Sequence, residues 1–261
     1  MRTNTRNHSI KNTLSDEFVV MLVDKINFFD IFPKILKNAG FIDKNYNLVM
    51  IKPNVCGYYP PQLELIEHTL KFFESISQRI AIGETNSSLN APEERFKRQG
   101  IINLLNTFDD KIVAMNLLKD EIIDVTVPSP NVICHLPIPK SVYDCDLLVN
   151  IPRVGTHSNT MLTCSLKNLF GLLAERRKYN VYHPLGIEKV IADVAKTIRC
   201  YLNVVDAIAK VILGVDPLYV DIVACKFVGL DPLQVDHIRY VSKDRNLELK
   251  ELVDKLQIIN M

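Results

Sequence analysis

Short apolar runs that end in polar residues, separated by stretches of helical spacing, constrain this chain more than any other feature. EFVVMLVD (Glu17–Asp24), NLVMI (Asn47–Ile51), RIAIG (Arg79–Gly83) and DLLVN (Asp146–Asn150) have strand length and lack alternation. Strands buried on both faces of a parallel sheet read this way. Ile26–Ala39 has helical spacing with Gly40 as its stop, so the first two runs predict a right-handed βαβ unit. Further helices are predicted over Pro61–Ser77, Pro92–Gln99 (closed by Gly100) and Gly186–Thr197, and further strands over Lys111–Met115, Tyr201–Val205 and Val211–Val215. Ile122–Val127 alternates enough to be an edge or hairpin strand, and Pro128–Pro139 reads as a surface excursion. Asp216-Pro217 opens a helix to Phe227, Leu230-Asp231-Pro232 another to about Val241, and Leu247–Ile258 forms the last. The expected architecture is α/β: an open, mainly parallel sheet flanked by helices in three layers. It forms a single compact domain over residues 16–261, preceded by a flexible tail at 1–15.

With 261 residues, 48% of them hydrophobic, the chain can bury a substantial core. The 31 basic and 30 acidic side chains nearly cancel, so no global nucleic-acid footprint is present. No apolar run approaches the roughly 20 residues of a membrane span, and MRTNTRNHSIKNT lacks the apolar core of a signal peptide. A cytoplasmic protein without membrane contact is expected. Cys56, Cys134, Cys145, Cys164, Cys200 and Cys225 are scattered, with no CxxC pair, so reduced thiols are expected and no iron–sulfur cluster. GxGxxG, GxxxxGK[ST], HExxH and GxSxG are absent, which removes support for nicotinamide, P-loop, zincin and α/β-hydrolase chemistry.

In an open parallel sheet, ligands bind beyond the C-terminal strand ends, so polar residues immediately after apolar runs are informative. Lys52/Asn54, Glu84/Thr85/Asn86, Arg153/His157 and Asp206 occupy such positions. The stretch Ile151–His183 adds Lys167 and Asn168 on an expected amphipathic helix, the cluster Arg176, Arg177 and Lys178, and His183. Its Lys/Arg excess over a single acid, Glu175, favours an anion or carboxylate. Each candidate also has a plain structural reading. Asn54 and Asn86 suit Asx turns, Glu84 and Asp206 suit caps, Lys167 suits snorkelling, and the Arg176–Lys178 run suits solvation.

The order of these motifs resembles the domain of unknown function family 362, an uncharacterised prokaryotic group, from about Tyr46 to His237. The resemblance rests on Lys52-Pro53-Asn54, Ile82-Gly83-Glu84, Asp146–Asn150, Gly155-Thr156-His157, Thr163, Lys167-Asn168-Leu169, Gly171, His183, Val205-Asp206-Ala207, and Asp221 with Ala224. Two departures stand out. The family's usual lysine before threonine-histidine is Gly155 here. Its glycine-proline-rich loop after valine-aspartate-alanine is missing, with only Ile208–Leu213 before Gly214. Many relatives carry a ferredoxin module that this sequence lacks.

The reading that follows is an anion- or carboxylate-binding pocket of an enzyme acting on a small anionic metabolite. His157, Lys167 and Glu84 are the candidate catalytic groups, and Lys52, Asn54, Arg153, Asn168, Arg176 and His183 the candidate ligand contacts. Asp206 and Asp221 are candidates for a divalent cation. The alternative is a non-catalytic redox-partner or scaffold subunit. A redox partner protein or a second copy of the chain are the candidate macromolecular partners.

Overall fold

A computed structural model describes residues 19–87 and 91–261. The expected tail at 1–15, the first two residues of the EFVVMLVD run and Ser88 lie outside the described residues. The strands are β1 (Val19–Asp24), β2 (Tyr46–Pro53), β3 (Ser77–Glu84), β4 (Ile112–Asn116), β5 (Ile122–Thr126), β6 (His135–Pro139), β7 (Leu147–Ile151), β8 (Gly155–His157), β9 (Met161–Thr163), β10 (Leu202–Ala207), β11 (Lys210–Gly214) and β12 (Gln257–Asn260). The helices are α1 (Lys25–Asn38), α2 (Leu63–Glu74), α3 (Pro92–Arg98), α4 (Ile101–Leu105), α5 (Lys140–Asp144), α6 (Ser165–Phe170), α7 (Lys178–Tyr182), α8 (Ile187–Thr197), α9 (Pro217–Cys225), α10 (Asp236–Asp244) and α11 (Leu249–Lys255).

One eight-stranded sheet in the order β12-β1-β11-β10-β7-β2-β3-β4 runs through the molecule. Every pairing in it is parallel except those made by β11 with β1 and β10. The period-2 alternation of strand side chains divides the apolar core between two faces. Val49, Ile51, Ile80, Ile82, Leu147 and Val149 pack with α1 to α4 on one face. Met50, Ala81, Leu148 and Val205 pack with α6, α8, α9 and α10 on the other. This is the expected three-layer α/β domain. The chain leaves β2 through α2 on the first face towards β3, and leaves β7 through α6 to α8 on the second towards β10. Neighbouring strands whose exits part to opposite faces open a crevice at their C-terminal ends. That crevice lies between β2 and β7.

Three expectations change. The helix predicted to start at Leu230 is instead a 3-10 turn, Pro232–Gln234, followed by α10. The last predicted helix stops at Lys255, and Gln257–Asn260 adds a parallel edge strand to β1. The proline-rich excursion returns as β6, which pairs antiparallel with β5 and buries Leu136 and Ile138. An anchor holds its preceding loop down. Buried Asp193 of α8 accepts from Asn131 N at 2.7 Å, Val132 N at 2.9 Å and Ile133 N at 3.0 Å. Three backbone donors on one desolvated carboxylate make the loop part of the core layer. Asp193→Ala strands those amides, and a loss of about 3 kcal/mol in urea unfolding is expected, with Asp193→Asn between it and wild type. A loss below about 1 kcal/mol for the alanine variant would mean the loop is held by other contacts.

Candidate functional site

The crevice floor is a buried polar ladder. Lys52, the next-to-last residue of β2, is only 1% exposed, and its Nζ lies 2.9 Å from both oxygens of Glu84 at the end of β3. The ammonium also donates to Asn168 Oδ1 at 3.1 Å and to Pro53 O at 2.9 Å, which uses all three of its hydrogens. Glu84 accepts in addition from Thr85 N at 3.0 Å and Val55 N at 3.3 Å. Asn168 of α6 donates to Lys52 O at 3.0 Å and Asn150 Oδ1 at 2.7 Å. Asn150 of β7 donates in turn to Ser165 O at 3.0 Å and Asn203 Oδ1 at 2.9 Å, and Asn203 donates to Gly214 O at 3.2 Å. Lys52, Asn150 and Asn203 follow Met50, Leu148 and Val205 in sheet parity, so all three face α6. Gly171 lets this helix end come close: a Cβ there would lie 3.1 Å from Lys52 Nζ.

Above the floor opens a pocket of about 680 Å³. Lys52, Asn54, Glu84, His157, Lys167, Asn168 and His183 all line it, which brings together seven of the candidates. The segment after β7 that carries His157 is a small antiparallel hairpin of β8 and β9, and α6 begins only after Cys164. Lys167 nevertheless reaches back to this hairpin, donating to Thr160 Oγ1 at 2.8 Å and Thr163 Oγ1 at 3.4 Å. Burial lowers its pKa to about 7, against a smaller opposing pull from Glu188. His157 is lowered by burial, then by Lys167 and His183; His183 by burial, then by Lys167. Asn159 tethers both rings, its backbone N donating to His157 Nδ1 at 3.2 Å and its amide lying 3.3 Å from His183 Nδ1. The Ser158 hydroxyl donates to Asn159 Oδ1, which turns the amide nitrogen towards His183. With Nδ1 accepting from the Asn159 backbone N–H, the neutral His157 imidazole carries its proton on Nε2.

Four candidates are not brought to the pocket wall. Asp206 follows Val205 in β10, so alternation turns it to the α1 and α2 side. There it pairs with Lys25 at 2.7 Å and accepts from Gln62 N at 3.0 Å. Arg153 forms an isolated backbone bridge with Asp206. Asp221 of α9 is fully buried and caps α6, accepting from Ser165 N at 2.7 Å and Leu166 N at 3.0 Å. Burial raises its pKa. The two aspartates therefore serve separate structural contacts, and no cluster of three metal-ligating side chains occurs among the described residues. Arg176 is exposed and contributes its carbonyl to Asn86.

Other residues that the sequence did not single out as ligand contacts line or support the pocket. Lys178 opens a separate helix and turns inward to Thr85 Oγ1 and, at 3.0 Å, Asn86 O. Burial lowers its pKa to about 8. Arg95 holds the loop after β2 by donating to Val55 O at 2.7 Å. Cys56 also lines the wall, its thiol pushed by burial up to about 12, which rules out a resting thiolate. Tyr59 lies over Gly155, where a Cβ would come within 2.6 Å of the ring; the aromatic occupies space above the lysine position of the family. In place of the missing loop, β10 and β11 join through Ile208 and Ala209 alone.

The family described as Domain of unknown function (DUF362) matches residues 49–239, and the chain belongs to it. A thylakoid-associated protein of Synechocystis is 28% identical over 79 residues, which span 28% of this chain and 25% of that protein. The lactate racemase apoprotein from Thermoanaerobacterium thermosaccharolyticum shares the fold with a TM-score of 0.54 at 17% identity, over 80% of this chain and 56% of that one. A Thermotoga maritima protein of known crystal structure gives 0.43 at 12% identity, over 85% and 59%. The chain thus spans a quarter of the curated relative and little more than half of the racemase chain. Among the described residues no helix is long and apolar enough to cross a membrane.

The two imidazoles are expected to titrate below the ordinary 6.5 in nitrogen-15 NMR, with the proton of neutral His157 on Nε2. Lys167→Met removes a neighbouring positive charge and should raise both midpoints. Unchanged midpoints would place the ammonium beyond electrostatic reach of the rings.

Proposed function

We propose that the pocket binds a small carboxylate and that the protein is an enzyme exchanging protons with it. One observation carries this reading: two imidazoles and an ammonium, all with lowered pKa, converge at the sheet's crevice, and among the described residues no carboxylate is in ion-pair contact with them. Groups tuned towards neutrality and left without a contacting counter-charge suit an anionic ligand and acid–base work. Protonated Lys167 holds the carboxylate, His183 and Asn54 orient it, and the His157 imidazolium gives its Nε2 proton to the ligand and takes it back, the ring meanwhile keeping its other proton on Nδ1 with the Asn159 contact released. Glu84 has its oxygens committed to Lys52, Val55 N and Thr85 N, so its part here is to fix Lys52 and the floor. Lys52 and Asn168 shape the pocket from beneath it.

The racemase that shares the fold acts, by its name, on a small hydroxy acid. At 17% identity that likeness speaks for fold alone, and it serves here to choose the first compound to try. The alternative of a non-catalytic redox or scaffold subunit calls for dispersed groups without a cavity, and the grouping of seven candidates around one pocket weighs against it.

Calorimetric titration with lactate tests the reading. A bound anion favours the charged form of Lys167, so affinity should fall as pH rises through about 7. Lys167→Met should abolish both binding and this pH dependence. Folding depresses the Lys167 pKa, so the ammonium is a burden on the folded state near and below neutrality; the variant should keep or raise Tm. A large drop in Tm with binding retained would make Lys167 structural.

A further inference from the structure

In the sequence Lys178 belongs to a basic run that suits either solvation or an anion, and the structure turns it into the pocket. Among the described residues its Nζ meets neutral oxygens: Thr85 Oγ1, Asn86 O at 3.0 Å and Gly171 O at 3.5 Å. Lys167 likewise donates to two hydroxyls, those of Thr160 and Thr163. Neither lysine takes part in any ion pair among the described residues. Glu84, the acid of the floor, is already matched by Lys52. Among the described residues, two half-buried ammoniums therefore line one pocket with no carboxylate in contact, Glu188 and Glu84 acting on them only from a distance.

They hang from different walls. Lys167 is tied to the β8–β9 hairpin and acts on His157 and His183. Lys178 is tied to the end of β3 and shares its surroundings with Lys52, Glu84 and Cys56. A single carboxylate beside Lys167 leaves the other cation desolvated and unmatched, which is unfavourable. A ligand with an anionic group near each wall matches both.

We propose that the natural ligand is a small dianion, one carboxylate held at Lys167 and the imidazoles and a second anionic group, carboxylate or phosphoryl, held at Lys178. This rests on the carboxylate pocket proposed above and names the ligand class it takes.

Calorimetric titration of the full chain with lactate, malate and phosphoglycolate tests the proposal, run on wild type, Lys178→Met and Lys178→Arg. At least one of the two dianions should bind wild type about tenfold or more tightly than lactate, equivalent to about 1.4 kcal/mol. Whichever dianion wins identifies the second group. Lys178→Met should lose that preference while keeping lactate affinity within about threefold, and Lys178→Arg should retain much of it. Equal affinities for all three ligands in wild type would overturn the dianion and leave the carboxylate pocket standing. An equal loss of lactate and dianion binding in a folded Lys178→Met would also overturn it, making Lys178 a scaffold residue. No binding of any ligand would remove both readings. The wild-type comparison decides the matter even where a variant fails to fold.

Discussion

The Lys52–Glu84 ion pair is the contact on which the rest of the site depends. It sits at the C-terminal ends of two neighbouring parallel strands, with Lys52 only 1% exposed. Burying two charges costs several kcal/mol per ion unless their remaining donors and acceptors are met. Here they are met, by Asn168 and Pro53 O on one side and by the amides of Val55 and Thr85 on the other. The amide ladder through Asn150 and Asn203 extends the same satisfaction across β7 and β10 to β11. A fully connected polar network of this kind rigidifies its surroundings, because any shift strands a buried donor. It fixes where α6 ends and therefore where Lys167 points.

Charge is also sorted by sheet parity. Asp206 and Lys25 neutralise each other on the α1 and α2 side, and Asp221 is spent on the start of α6. With those acids turned away and Glu84 matched, the pocket retains basic groups in excess. The lowered pKa values of Lys167 and Lys178 follow from burial, which outweighs the pull of Glu188 on the one and of Glu84 on the other, and such desolvated ammoniums make the pocket receptive to anions.

Much of the sheet was legible in the sequence because apolar runs such as VVMLVD and DLLVN have no other place than a doubly covered strand. The strand-end rule placed Lys52, Glu84 and His157 correctly at one rim. It failed for Asp206, since proximity to a strand end does not say which face a side chain takes. Tertiary context decided the remainder. Leu247–Ile258 has helical spacing, yet its last residues complete the open edge of β1. Lys178 lies in a basic run that no local pattern separates from a solvated one; only the break after Phe170 and the new helix turn it inward. The contact of Asn159 with His183 spans 24 positions, which no local pattern reveals.

The most direct measurement is a double-mutant cycle on Lys52→Met and Glu84→Gln, by urea denaturation with lactate titration of each variant. Either single change leaves a buried charge or its hydrogen-bond partners unmatched and should cost about 3–5 kcal/mol, with much of that recovered in the double variant. Lactate binding should weaken in both single variants, although neither side chain holds the carboxylate. Independent, additive losses below about 1 kcal/mol with lactate affinity unchanged would contradict the account, because the pocket would then stand without its floor.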